Sequence, residues 1–156
     1  MSGKIHEKYK FVTVVVPATY DSDTAILSSD NTNGVPIAGA RGVLFLVAGG
    51  AVTATASYAF QIAYASNGTA SDASTSSNVW TSSDCLVTLD SDNPNVISGV
   101  YVDIASKGLS DAAGKLYVTN AVSAEGAGFA IIAVIDPANA RFPVTQETTF
   151  TVANGT

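Results

Sequence analysis

The chain holds one histidine, His6, and one cysteine, Cys85. Nucleophilic catalysis needs a base beside the nucleophile. A Ser-His-Asp triad here would require the N-terminal arm that carries His6 to fold into the core. Cys85 opens an apolar segment and reads as a buried structural thiol. Carboxylates are the next chemistry to weigh. In Asp90-Ser91-Asp92-Asn93-Pro94-Asn95, Asp90 and Asp92 alternate as oxygen ligands do where a calcium loop begins. An EF-hand also needs Gly at its sixth position and Glu at its twelfth. Asn95 and Tyr101 stand there instead. The segment therefore reads as a surface turn, with an incidental calcium site as the alternative. Asp21-Ser22-Asp23 is a weaker version of the same pattern. Glycosidase chemistry needs two carboxylates across a cleft, and nothing selects such a pair. The glycines follow no phosphate-loop spacing. Asn67-Gly68-Thr69 and Asn154-Gly155-Thr156 match the glycosylation tripeptide, which carries little weight without a signal peptide. No catalytic, metal-binding or cofactor-binding residue is expected, and the chain does not read as an enzyme.

Aromatic residues could form a platform for sugars: Tyr58, Tyr64, Trp80, Tyr101 and Tyr117 are the candidates. Tyr58 and Tyr64 share the apolar side of an alternating segment and are expected in a core. Trp80 sits among polar residues and is either a core plug or an anchor at an interface, where Trp is favoured.

Charge narrows the classes further. The net charge is −6 and the isoelectric point about 4.4, which argues against a phosphate-backbone binder. Three lysines (Lys4, Lys8, Lys10) lie in the first ten residues. From residue 42 to 106 there is no Lys or Arg, only Asp72, Asp84, Asp90, Asp92 and Asp103. The N-terminal arm, residues 1–10, is thus basic and the body acidic. The arm is either a solvated tail or a segment that lies on an acidic neighbour. The apolar run Phe11–Val16 is short for a secretory signal and ends at Pro17. The uncharged stretch 42–71 is long enough to span a bilayer, yet it alternates and contains Gly49-Gly50 and Gln61. Neither a signal peptide nor a membrane helix is expected.

The elements that must carry these residues are strands. Periodicity is two almost throughout. Segments 10–16, 42–47, 53–65, 85–89, 99–105, 115–122, 129–135 and 148–152 read as strands, with a short one at 24–28. In 10–16 both faces are apolar, as in a strand covered on two sides. In 53–65, Tyr58, Phe60, Ile62 and Tyr64 face a core while Ser57, Ala59, Gln61 and Ala63 face away. Residues 67–83 read as a long loop carrying Trp80, and 107–113 hold one helical turn. Eight to ten short strands with little helix predict an all-β fold, an antiparallel β-sandwich of jelly-roll type. One domain is expected over residues 11–152, between the arm and a flexible tail at 153–156.

Only 13% of residues are charged, against about 25% in an ordinary soluble domain. With 47% hydrophobic residues the chain is not disordered. Apolar surface beyond a few hundred Å² marks an interaction site. An assembly protein is the expectation, a symmetric homo-oligomer that also contacts a larger partner. The segments Gly39-Ala40-Arg41-Gly42-Val43, Ala56-Ser57-Tyr58-Ala59-Phe60-Gln61, Gly99-Val100-Tyr101-Val102-Asp103-Ile104 and Ala140-Arg141-Phe142-Pro143-Val144 resemble small virion structural proteins of tailed phages, of the head-decoration or cement type. The likeness covers residues 39–144 and rests on composition and strand order. It implies a β-sandwich, a trimer, bound to the major capsid protein on the outer capsid surface, with no nucleic-acid or membrane partner and no cofactor. Lys4, His6, Lys8, Lys10 and Trp80 are the candidate partner contacts. The alternatives are a tail or fibre component, or a carbohydrate-binding, adhesin-type sandwich.

Overall fold

A computed structural model describes residues 5–20, 34–52, 57–69, 73, 78–80, 88–90, 97–110, 112–122 and 127–138. Among the described residues a single turn of helix, α1 (Ile5–Lys8), precedes nine strands: β1 (Lys10–Tyr20), β2 (Val35–Pro36), β3 (Ala40–Val52), β4 (Ser57–Ala65), β5 (Asn78–Trp80), β6 (Thr88–Asp90), β7 (Ile97–Asp103), β8 (Lys115–Val122) and β9 (Ala127–Pro137). Every pairing is antiparallel. Sheet A runs β1-β9-β3-β7 and sheet B runs β2-β8-β4-β5, with β6 also on β4.

The pairing is that of one long hairpin rolled up. β1 pairs β9, β2 pairs β8, β3 pairs β7, and β4 pairs both β5 and β6, which act as one interrupted strand. Rolling then brings β9 against β3 and β8 against β4. This is the jelly-roll order of a two-sheet β-sandwich, as the alternation predicts.

The core lies between the sheets. Val14, Val15, Val43, Phe45, Val102 and Ile131 of sheet A and Val35, Leu116 and Val118 of sheet B are fully buried. β-Branched residues dominate it, as expected for a pleated, packed surface. Phe60 of β4 meets Phe129 of β9 edge to face, centroids 5.1 Å apart at 76°, which ties one sheet to the other. Such a ring pair contributes about 0.5–1.5 kcal/mol beyond its buried area.

Several local expectations are corrected. Pro17 does not end the first strand. β1 continues to Tyr20, and its register with β9 shifts between Thr13 and Val15 and again between Val15 and Ala18. β1 is an edge strand, so Pro17 removes no ladder bond that a second neighbour needs, and a bulge accommodates it. Trp80 is not in a loop: it belongs to β5 and pairs with Ile62. The helical turn lies earlier than 107–113. Asp103 Oδ1 accepts a bond from Ser106 N at 2.8 Å. Leu109 N donates to Ile104 O and Gly108 N to Ala105 O. That is a capped turn closed by a Schellman motif, with Gly108 at φ 67° as its left-handed residue. The predicted strands at 24–28 and 148–152, the tail at 153–156, and Asp21, Asp23, Cys85 and Asp92 lie outside the described residues.

Candidate interaction surface

The outer faces of the two sheets differ. On sheet B, Ala63 was expected to face away from the core, yet it is fully buried, with Ala65, in a cluster with Ala73 and Tyr117. The Tyr117 hydroxyl donates to Gly68 O at 2.9 Å, and its ring packs over Gly34, where a methyl group would overlap it. Burial pushes the Tyr117 pKa up.

Sheet A is different. Its register sets outward residues of four strands side by side. One row is Phe11, Val134, Leu44 and Tyr101. The next is Thr13, Ile132, Leu46 and Gly99. A third holds Ala130, Ala48 and Ile97, with Val16 as the first outward residue of β1 past the bulge. Among these twelve positions the only polar side chains are the Thr13 and Tyr101 hydroxyls. Ile97 is 81% exposed, Val16 51%, Tyr101 45% and Ile132 38%. The Leu44 and Leu46 side chains lean over Gly99, closer than ordinary contact to where its side chain would be. At about 4.8 Å between strands and 6.8 Å between rows, the surface measures roughly 400 Å².

A fourth row caps this face with charge. Asp136 and Asp103 are the two neighbours of Gly42, on β9 and β7. The Tyr101 ring reaches diagonally across Gly42, with its hydroxyl above the glycine, where any side chain would collide with it. This is an aromatic ring covering the bare backbone of a cross-strand glycine. Arg41 lies 3.8 Å from Asp136. The Tyr101 hydroxyl has its pKa raised, first by desolvation, then by Asp136 and Asp103, with Arg41 opposing. An apolar field ended by a Tyr, an Arg and two carboxylates has the composition of a docking surface, with an apolar centre and a polar rim.

Two of the predicted contact residues lie where the chain enters sheet A. Lys8 ends α1, Lys10 opens β1, and both are half-buried. His6 lies within α1. Lys4 lies outside the described residues. Trp80 is on sheet B, so the structure does not bring it together with the arm. Tyr101 was named only as a member of a sugar platform; Leu44, Leu46, Ile97, Ile132, Asp103 and Asp136 were not singled out as contacts. The apolar character of β9 and of Ile97 was visible; the rows they form depend on long-range pairing.

Other sites offer less. A cleft of about 260 Å³ is lined by residues such as Ile37, Gly39, Ile104, Leu109 and Ser110, with no ionisable side chain among its described lining residues. Among the described residues no group of three or more His, Cys, Asp or Glu side chains could hold a metal ion, and no helix is long and apolar enough to cross a membrane. No protein-family model, curated protein or solved structure matches the chain.

Proposed function

We propose that this chain is a non-enzymatic structural subunit of a virion. In this reading it sits on the outer surface of a tailed-phage capsid, held by the major capsid protein and by copies of itself, as a trimer. The observation that carries the reading is the outer face of sheet A, where rows of apolar side chains from all four strands meet solvent. A chain with so little charge leaves this face covered only if a partner covers it. The jelly-roll fold supports the reading as an analogy, since viral shells use it.

The mechanism is linkage. A subunit that binds the assembled shell and not its free components shifts the equilibrium toward the shell. Many copies on a lattice turn a modest contact into firm attachment. The test is co-sedimentation with assembled shells and, in a separate arm, with isolated tails. Binding to shells, lost in Ile132→Lys and weakened by deleting residues 1–8, is expected. The deletion stops there because Lys10 already pairs with Ile135. Binding to tails alone moves the subunit to a tail or fibre; binding to neither, or undiminished binding by Ile132→Lys, refutes the reading.

A second reading has its own observation. The exposed Tyr101 ring beside Asp103 and Asp136 has the make-up of a sugar-stacking platform, and jelly rolls also serve lectins. Glycan-array binding lost in Tyr101→Ala but kept in Ile132→Lys would select it.

A further inference from the structure

Resting on the reading of the chain as self-assembling, we propose that the N-terminal arm of one copy docks on the outer face of sheet A in the next. Ile5 enters the apolar rows, and Lys8 meets the carboxylates at their end.

Three observations carry this. The first is charge. The arm, residues 1–10, holds Lys4, Lys8 and Lys10 against Glu7 alone. The receiving end holds Asp103 and Asp136 against Arg41. One surface is net basic, the other net acidic, and complementary potentials steer and register such a contact.

The second is geometry within one copy. Ile5 is 65% exposed, so its own domain leaves it uncovered. Lys10 pairs with Ile135, a buried residue facing the core side, whereas Asp136 faces outward. β1 is the edge of the sheet, and Tyr9 already reaches the Tyr101 end of its own face, while Ile5 is left exposed for a neighbouring copy to cover.

The third is area. A stable association needs about 800 Å² per partner. The apolar face offers roughly 400 Å², too little for two copies laid face to face. The arm's turn of helix, Ile5–Lys8, is about 6 Å long and fits within such a face. If every copy gives one arm and receives another, each makes two such contacts, and the contact that closes the ring forms within one assembly at a high effective concentration. The contact is then heterologous: different surfaces meet, and a ring closes when the rotation allows it. A trimer is the small ring that the proposed function calls for.

The experiment is a charge swap on the full chain, read by sedimentation velocity, with circular dichroism to confirm the fold. The variants are Lys8→Glu, Asp136→Lys and the two combined. The expected result is a closed oligomer for the parent chain, association weakened at least tenfold in each single variant, and recovery to within about threefold in the double. Ile5→Ser reads the apolar half of the contact and is expected to weaken association without changing the urea midpoint. A parent chain that stays monomeric at millimolar concentration overturns the proposal, as does an oligomer indifferent to both single substitutions, or a double variant no better than the singles. Shell binding that survives in a monomeric, swap-indifferent chain overturns the arm exchange and leaves the proposed function standing. A chain that neither associates nor binds shells removes both.

Discussion

Replacing Ile97 with Ser and Val16 with Thr separates docking from folding. Fully burying an Ile or Val side chain contributes about 1.5–3 kcal/mol. Ile97 is 81% exposed and Val16 51% exposed. Ile97 thus gives the fold only about a fifth of that amount, and Val16 about half. The two together cost the isolated domain about 1–2 kcal/mol, a modest lowering of its urea midpoint. Docking buries what is still exposed, about four-fifths of one side chain and half of the other. The loss there is roughly 2–4 kcal/mol, or about 30- to 700-fold in association. The two residues lie on opposite edge strands of sheet A, three strand spacings or about 14 Å apart, so their effects should add. Sedimentation equilibrium gives the association constant and urea unfolding gives the stability. An unchanged association constant in a folded variant would refute the docking role of this face. A stability loss as large as the association loss would show that these side chains belong to the core instead.

Four further outcomes follow from packing and titration. Phe129→Ala removes the ring that Phe60 packs against edge-on across the sandwich and should cost about 3–5 kcal/mol in urea unfolding; a loss below about 1 kcal/mol would mean that the sheets are not joined there. Gly42→Ala places a methyl group where the Tyr101 hydroxyl and ring lie, so the ring must lift. The expected readout is changed Tyr fluorescence and near-ultraviolet dichroism with the β-fold intact, and an unaltered spectrum would contradict that packing. Gly108→Ala meets no neighbour within 4 Å, yet φ is +67°, so backbone strain alone should cost about 1–2 kcal/mol, with Gly108→Asn costing less. Tyr101 and Tyr117 both have pKa values raised above the usual 10. The folded state then keeps protons that the unfolded state has released, so stability is full below about pH 10 and falls as pH rises through that range. Thermal unfolding of a Tyr117→Phe variant between pH 9 and 11 should show a shallower decline, and an identical decline would exclude this tyrosine as a cause.

Alternation along a strand tells which residues share a face; it does not tell what covers the other face. In β4 it correctly sent Phe60 and Ile62 to the core. It also sent Ala63 outward, where it is completely buried in a cluster with Ala65, Ala73 and Tyr117. The same limit explains Pro17. Proline ends a strand only where both neighbours need its N–H, and β1 has a neighbour on one side. Trp80 escaped because a three-residue strand is too short for alternation to register among Ser and Thr.

The candidate surface was half legible for the same reason. That β1 and β9 are apolar on both sides could be read directly, and with the low charge it pointed to assembly. That Phe11, Val134, Leu44 and Tyr101 stand in one row could not, because β1, β3, β7 and β9 are far apart in sequence and adjoin only in the rolled hairpin. The lid that Tyr101 forms over Gly42 likewise has no local signature. Yet a sheet covered on its outside by its own chain and a sheet left bare there are different objects. On sheet B the outer alanines are sealed within the subunit; on sheet A, Ile97, Ile132 and Val16 reach solvent beside a charged end. That asymmetry gives the sandwich a direction, with one side closed and one side that can receive, and a subunit with a direction can attach to a surface or follow another copy around a ring.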